Sequence, residues 1–314
     1  MTTWILSYVE LHTAGSPTDE KVKWTHLQPH EIAQYLHQTY QVQVSNGCIK
    51  RILAAHDYRR RKPAKTLATG SSADRAEQFQ IILVLTALFW AMKENPIISV
   101  DTKKKELLGP LTRNQSVLTQ GEQGVPVYDH DYPYLATGKA IPHGIYDVKR
   151  NAGYVSLGSS HETAEFVVEN LAWWWDSYGQ DFYPHATRIL ILCDSGGANG
   201  HRHHFFKQCL QAWAHTTGLK LVIAHYPPYC SKYNPIERRL FAHVQRTLTH
   251  TILTDLAQVQ ELMQKTTTKT GLRVQVRIND KFYPLKQPSR PEAIDPKRIL
   301  RHPTLPKLSY TILP

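Results

Sequence analysis

The sequence predicts an α/β protein, in which a mixed sheet flanked by helices follows an all-α region with a helix-turn-helix. Two short amphipathic patterns before residue 56 indicate the helix pair, and from residue 97 onward apolar segments of strand length alternate with helical ones. No apolar run reaches the roughly 20 residues that span a membrane, and the N-terminus lacks the features of a signal peptide. The four cysteines lie far apart, which excludes a disulfide scaffold and predicts a reducing cytoplasm.

The charge of the chain predicts a polyanionic partner. Its 37 Lys and Arg residues outnumber 26 Asp and Glu residues, and the resulting charge of +11 is concentrated in residues 50–65 and 263–314. A single basic segment is usually an ordinary solvated surface. Two such segments on either side of a nearly neutral middle favour binding to nucleic acid.

The first basic segment overlaps the predicted helix-turn-helix. One helix is predicted from Pro29, which suits a first turn, and a second follows Ser45, a favourable N-cap residue. The second helix exposes polar and basic side chains that can reach base edges, and the basic run after it suits phosphates. The candidate DNA-binding residues of this region are Asn46, Lys50, Arg51, Arg59, Arg60, Arg61 and Lys62. Helix pairs of this kind also occur in domains that do not bind DNA.

The remaining chain is expected to form the mixed sheet. Residues 63–73 lack periodicity and are interpreted as a linker, and residues 74–93 as a helix. Further elements are expected as strands at 97–100, 141–148, 153–157, 188–193 and 219–225, and as helices at 162–175, 202–216 and from 234 onward. The predicted domains are 1–62 for DNA binding, 63–73 as the linker, 74–262 around the sheet, and 263–314 as a basic, proline-rich C-terminal tail.

Three acids occupy positions where a catalytic site is expected in such a sheet. Asp101 ends the first strand, Asp194 ends the fourth, and Glu237 lies in the first turn of the helix after the last strand. The ends of adjacent central strands meet at one edge of the sheet, so these carboxylates are expected to converge. Any one of them alone would more often be a turn or cap residue. Three carboxylates in one cleft require a cation between them, and Mg²⁺ is the expected ion, with Mn²⁺ as its substitute.

The expected chemistry is phosphoryl transfer. Two Mg²⁺ ions about 4 Å apart would clamp the attacking and leaving oxygens of a phosphoryl displacement. Lys103, two residues after Asp101, is expected to hold a phosphate near the metal ions. Three acids of this kind on a basic chain therefore predict a site that acts on nucleic acid.

Residues 226–237 carry a specific resemblance. They read Tyr-Pro-Pro-Tyr-Cys-Ser-Lys-Tyr-Asn-Pro-Ile-Glu, which resembles the PPYSPxxNPIE signature of DDE transposases in the Tc/mariner-like group. Glu237 takes the position of the third carboxylate of that group, while Cys230 and Lys232 depart from the pattern. Further stretches resemble the bacterial insertion-sequence family ISAzo-thirteen, at 99–109, 138–147, 161–166, 266–272 and 310–314.

The resemblance implies an RNase H-like catalytic domain with a mixed five-stranded sheet and a DDE triad. In that pattern Asp101 would bridge two Mg²⁺ ions, and Asp194 and Glu237 would each hold one. The implied activity is cleavage of double-stranded DNA at the terminal inverted repeats of the element, after which the freed 3′-OH attacks target DNA. Pairing of two ends implies a homodimer or larger assembly, in the cytoplasm at the nucleoid and without a membrane. The resemblance also implies a longer N-terminal region in relatives, so a shortened copy is expected here.

Two other interpretations stay open at this point. A remnant without catalysis would bind the ends of its parent element as a repressor. A structure-selective nuclease would use the same core without strand transfer and without end-specific binding. An assay with labelled terminal repeats and Mg²⁺ separates the three, because it distinguishes binding only, nicking only, and nicking with joining.

Overall fold

The computed structural model describes residues 1–16, 19–60, 74–112, 116–120, 123–128, 132–285 and 294–314. The chain forms two compact units, residues 1–67 and residues 68–314. The predicted linker at 63–73 and the basic residues Arg61 and Lys62 lie outside the described residues.

The first unit is a small helical fold with one hairpin. Its elements are α1 (Thr2–Leu11), β1 (Thr13–Ser16), β2 (Asp19–Thr25), α2 (Pro29–Tyr40) and α3 (Asn46–Ala55). The three helices share a core of fully buried aliphatic side chains, Ile5, Val9, Ile32, Leu36 and Ile49. The predicted helix pair is therefore present, while α1 and the hairpin are elements that the sequence did not indicate.

Local hydrogen bonds set where α2 and α3 begin. Ser45 Oγ accepts a hydrogen bond from the backbone N–H of Cys48 at 3.2 Å, as predicted for an N-cap serine. At α2, the backbone N–H of Gln28 donates to Glu31 Oε2 at 2.6 Å in a capping box, and Pro29 occupies the first turn. Both helix starts are encoded by neighbouring residues, which is why the sequence located them.

The second unit consists of a large sheet with helices on both faces. Its helices are α4 (Arg75–Ala91), α5 (Ala164–Trp174), α6 (Gln180–Phe182), α7 (His204–Thr217), α8 (Ala242–Thr247) and α9 (Leu256–Gln264). Its strands are β3 (Ile97–Thr102), β4 (Glu106–Leu108), β5 (Gly138–Asp147), β6 (Ala152–Gly158), β7 (Arg188–Cys193), β8 (Lys220–His225), β9 (Arg273–Asn279), β10 (Ile299–Arg301) and β11 (Ser309–Ile312). Within the described parts of both units, no helix is long and apolar enough to cross a membrane.

Five central strands form the mixed sheet that the sequence predicts. Their order is β6–β5–β3–β7–β8, with β5 antiparallel to both β6 and β3, and β7 parallel to both β3 and β8. The antiparallel strands come first along the chain, with a short turn between β5 and β6, and the strands β7 and β8, each preceded by a helix, follow. The predicted α/β class with an RNase H-like core is confirmed.

The sheet is wider than the predicted five strands. In the described residues it has nine, because β9 pairs with β6, β11 pairs with β8, β10 pairs with β11, and β4 pairs with β5. Three of the added strands, β9 to β11, come from residues 263–314, the segment that the sequence assigns to a tail. β10 and β11 contain only three and four residues, too few for an alternating pattern to stand out.

The two faces of the sheet are covered by different helices. α5 and α7 pack on the face of β3 that carries Ile98 and Val100. The opposite face is covered by α8, α9 and the turn before them, which contributes Ile236 and Leu240 to a second core. Because side chains alternate along a strand, Asp101 faces this second side, towards the turn.

Candidate active site

The first two acids lie side by side at one edge of the sheet. The parallel ladder between β3 and β7 pairs Val100 with Cys193. Asp101 and Asp194 are the next residues on these two neighbouring chains, and Asp194 follows β7 directly. Asp101 is buried, with 9% of its surface exposed. The structure thus brings together two acids that are far apart in the sequence, as predicted.

The third acid, Glu237, is held against β3 by a network of buried hydrogen bonds. Ser99 Oγ donates to Asn234 Oδ1 at 2.5 Å and accepts from the backbone N–H of Ile236 at 3.0 Å. Asn234 Nδ2 donates to the carbonyl oxygen of Val100 at 3.1 Å. Glu237 then begins a π-helical turn, Glu237–Phe241, a rare geometry that is frequent at functional sites.

A glycine on the neighbouring strand makes room for this turn. Gly144 on β5 pairs with Asp101 across the ladder. A Cβ atom at Gly144 would lie 2.6 Å from the ring of Phe241 and 2.9 Å from the side chain of Ile236. Only a residue without a side chain allows the segment around Glu237 to approach the sheet this closely.

The environment of Asp101 disfavours its charged form. Burial is the main cause that raises the pKa of Asp101 to about 8, and the negative charges of Asp194 and Glu237 raise it further. A hydrogen bond between the side chains of Asp101 and Glu237 acts in the same direction. The backbone N–H of Thr102 donates to Asp101 Oδ1 at 2.8 Å and opposes the shift. Both other acids therefore add to the effect of burial on the pKa of Asp101.

Asp194 is less deeply buried than Asp101, and its carboxylate accepts more hydrogen bonds. Burial raises its pKa to about 6, and hydrogen bonds from the backbone of Gly196 and the side chain of Asn199 lower it in part. With the Asn199 amide oriented so that Nδ2 faces the carboxylate, it donates to Asp194 Oδ1 at 3.2 Å. The charges of Glu162 and Glu237 raise the pKa of Asp194 as well.

Glu162 is a fourth acid of this region that the sequence did not single out. It lies before α5, and its Oε2 is 3.9 Å from Nζ of Lys105. Its Oε1 would be 3.2 Å from a Cβ at Gly197, in the loop that follows Asp194. Glu162 falls within the family-like stretch 161–166, but directly before the N-cap Thr163 an acid has an ordinary role at a helix start.

The three carboxylates are suitable ligands for a divalent cation, although their side chains are not preorganised as a metal site. In the described residues, no group of three His, Cys, Asp or Glu side chains is arranged to hold a metal ion. The acids interact in pairs, through the contact of Asp101 with Glu237 and through the charge of Asp194. Carboxylate oxygens are the ligands that Mg²⁺ takes from proteins, so the chemistry of the residues fits this ion.

Most of the predicted DNA-binding residues that the structure describes are accessible. Those of the first unit are exposed, namely Asn46, Lys50, Arg51, Arg59 and Arg60. Arg60 Nη2 donates to Gln28 Oε1 at 2.6 Å, and Arg59 Nε lies 3.9 Å from Asp57. Lys103 differs from the prediction, because it is only 8% exposed and its ammonium group pairs with Glu106. The exposed cations that follow Asp101 are instead Lys104 and Lys105.

A mixed sheet with acids at the ends of adjacent strands is the arrangement of the DDE class of nucleic-acid enzymes. The sequence match is more specific, since a family described as the Rhodopirellula transposase DDE domain matches residues 5–314. The chain belongs to this family. Among curated protein sequences, none matches the chain.

Solved structures of other transposases are similar in fold. One is the Mos1 transposase paired-end complex with left transposon end, at 13% identity and a TM-score of 0.45, with 83% of this chain and 69% of that chain covered. Another is the mariner Mos1 paired end complex with Mg, at 14% identity and a TM-score of 0.46, with 79% of this chain and 74% of that chain covered.

Proposed function

We propose that this transposase cleaves DNA at the ends of an insertion sequence and transfers the freed strand to target DNA, with Asp101, Asp194 and Glu237 as its catalytic acids. The observation that carries the proposal is the placement of the three acids: Asp101 and Asp194 lie at the ends of neighbouring strands, and hydrogen bonds hold the segment before Glu237 against β3. Burying a carboxylate beside other negative charges costs stability, so the position of Asp101 supports a role in binding and catalysis.

A divalent metal ion is the proposed cofactor of this edge. Burial, together with repulsion by neighbouring carboxylates, raises the pKa values of Asp101 and Asp194, and a cation between the acids would offset both effects. Asp101, Asp194 and Glu237 would hold the Mg²⁺ ions through their carboxylate oxygens. Mn²⁺ would serve as a substitute. When bound, such ions activate the attacking oxygen and stabilise the leaving oxygen.

Other groups of the chain orient the acids and meet the phosphate. Gly196 and Asn199 donate to the carboxylate of Asp194 and so keep it in one orientation. Lys104 and Lys105 are exposed directly after β3, where their ammonium groups can contact the DNA backbone. Phosphate contacts of this kind fix the position of the strand without reading its sequence.

Double-stranded DNA is the proposed partner of both units. We assign base reading to the exposed residues Asn46, Lys50 and Arg51 of α3, and phosphate contacts to the basic run that follows it. The DNA would comprise the terminal inverted repeats of the element and the target duplex. Because two ends react together, the reacting assembly would be a homodimer or larger, acting at the nucleoid.

Labelled duplexes that carry the element's ends test this proposal. In Mg²⁺, the protein should nick these duplexes and join the freed strand to a second DNA, and it should leave random duplex of the same length largely intact. Binding without nicking would identify a repressor-like remnant, and nicking of any duplex without joining would identify a nuclease. Either result would contradict the proposed function.

A further inference from the structure

We infer that Ser99 and Asn234 form a positioning pair, which sets the third acid, Glu237, at a fixed distance from Asp101. The inference rests on the proposed function, because it gives Glu237 a catalytic role. Neither residue reaches solvent, and neither contributes a charge. Their role would be to connect two segments of the chain that each carry one acid.

The Ser99 hydroxyl both donates and accepts a hydrogen bond within this network. It donates to Asn234 Oδ1 and accepts from the backbone N–H of Ile236, the residue immediately before Glu237. Ser99 itself is two residues before Asp101 on the same face of β3. One hydroxyl group therefore links the strand of the first acid to the backbone that leads into the third.

Asn234 supplies the second and third links. Its Nδ2 donates to the carbonyl oxygen of Val100, the residue before Asp101. The backbone carbonyl oxygen of Asn234 accepts a hydrogen bond from the backbone N–H of Glu237 at 3.1 Å. Asn234 thus contacts both the strand that carries Asp101 and the turn that begins at Glu237. A shift of its side chain would move the start of this turn relative to β3.

A matched pair, with Ser309 on β11 and Gln78 on α4, has no hydrogen bond to the three acids. Ser309 Oγ and Gln78 are also buried, and they exchange hydrogen bonds at 2.9 Å and 3.2 Å. Loss of either serine hydroxyl leaves a buried amide side chain without one of its partners, so both losses should lower stability. Only the loss at Ser99 should also change how the protein responds to metal ions.

The test compares Ser99→Ala with Ser309→Ala in the full chain. Both variants should melt at a lower temperature than the unchanged protein in metal-free buffer. Adding Mn²⁺ should raise the melting temperature of Ser309→Ala as much as that of the unchanged protein, and that of Ser99→Ala by much less. The Mg²⁺ concentration for half-maximal DNA cleavage should rise at least about tenfold in Ser99→Ala only, as is typical when a partner that orients a metal ligand is lost.

Two further variants make the result decisive. Asn234→Ala should give the same metal response as Ser99→Ala, and it replaces that variant if Ser99→Ala does not fold. If the two residues act as one unit, the double variant should raise the half-maximal Mg²⁺ concentration by no more than about twofold over the larger single effect.

Failure of the inference can be told apart from failure of the proposed function by including Asp194→Asn. If Asp194→Asn loses cleavage and the Mn²⁺ response while Ser99→Ala responds to metal like Ser309→Ala, the positioning role is overturned and the proposed function stands. If Asp194→Asn keeps both the cleavage and the Mn²⁺ response, the proposed function falls, and the positioning role falls with it.

Discussion

Replacing Gly144 with alanine tests whether the close approach of the Glu237 turn to the sheet is a structural requirement. The new Cβ would lie 2.6 Å from one ring atom of Phe241, 2.8 Å from another, and 2.9 Å from Ile236. Phe241 is 4% exposed and Ile236 is fully buried, so neither side chain can move into solvent. The turn as a whole must shift away from β5.

The expected cost follows from the packing of this region. Overpacking of a well-packed core costs about 1–3 kcal/mol. Alanine also restricts the unfolded chain, which returns about 0.4–1 kcal/mol where the native backbone suits it. We expect a net loss of roughly 1–2 kcal/mol in the free energy of unfolding, measured by urea denaturation. Cleavage should also fall, because the shift moves Glu237 relative to Asp101.

Two variants serve as controls for the Gly144→Ala experiment. Gly138 lies on the same strand, and a Cβ there would lie at an ordinary 3.5 Å from Leu108, so Gly138→Ala should be neutral or slightly stabilising. Phe241→Leu in the Gly144→Ala background should recover part of the lost stability by removing the ring. Equal stability of Gly144→Ala and Gly138→Ala would refute the account of the close approach.

Three further predictions concern DNA binding and pH. Replacing the arginines at 59–61 with alanine should flatten the dependence of log affinity on log salt by up to about three units, and an unchanged slope would remove them from the DNA interface. Asn46→Ala should reduce discrimination between element ends and random duplex by about 1–3 kcal/mol, whereas equal losses on both DNAs would limit α3 to backbone contacts. Burial and the charge of Arg277 lower the pKa of His143 to about 3, and both its ring nitrogens lack a hydrogen-bond partner in the described residues. In the unfolded chain this histidine takes up a proton near pH 6.5, whereas in the folded chain it stays neutral down to about pH 3. The unfolding free energy therefore falls as the pH drops from 6.5 to 3. His143→Leu should therefore flatten the fall in unfolding free energy between these pH values by about 1.4 kcal/mol per unit, and an unchanged slope would contradict the assignment.

The central strands were predictable because each is rich in apolar residues, and β7 is an unbroken apolar run of the kind that a doubly covered strand needs. The outer strands were not, since β10 and β11 are short and lie among charged residues and prolines. Their place in the sheet depends on the pairing of β11 with β8, about 90 residues away in the chain, and on the pairing of β10 with β11. A pattern within a short window carries no information about such a partner.

The positions of the three acids were predictable for a similar reason, because Asp101 and Asp194 lie at strand ends and Glu237 opens a helical turn, while their catalytic role stays a prediction. The contacts that position them were not. Ser99 and Asn234 are 135 residues apart, and a buried serine on an apolar strand gives no signal of its partner. Lys103 is the reverse case. A lysine two residues after a candidate catalytic acid suggested a phosphate contact, whereas its ammonium group pairs with Glu106 in the protein interior.

The most direct test of the catalytic assignment is the rate of DNA-end cleavage by Asp194→Asn in Mg²⁺. The amide keeps the size of the side chain and its hydrogen-bonding reach but removes the charge that would hold the metal ion. We expect cleavage to fall at least about a thousandfold, which corresponds to about 4 kcal/mol in the barrier. The melting temperature in metal-free buffer should stay the same or rise, because the charge of Asp194 is buried beside those of Glu162 and Glu237. Cleavage by Asp194→Asn at a near-normal rate would contradict the assignment of the three acids.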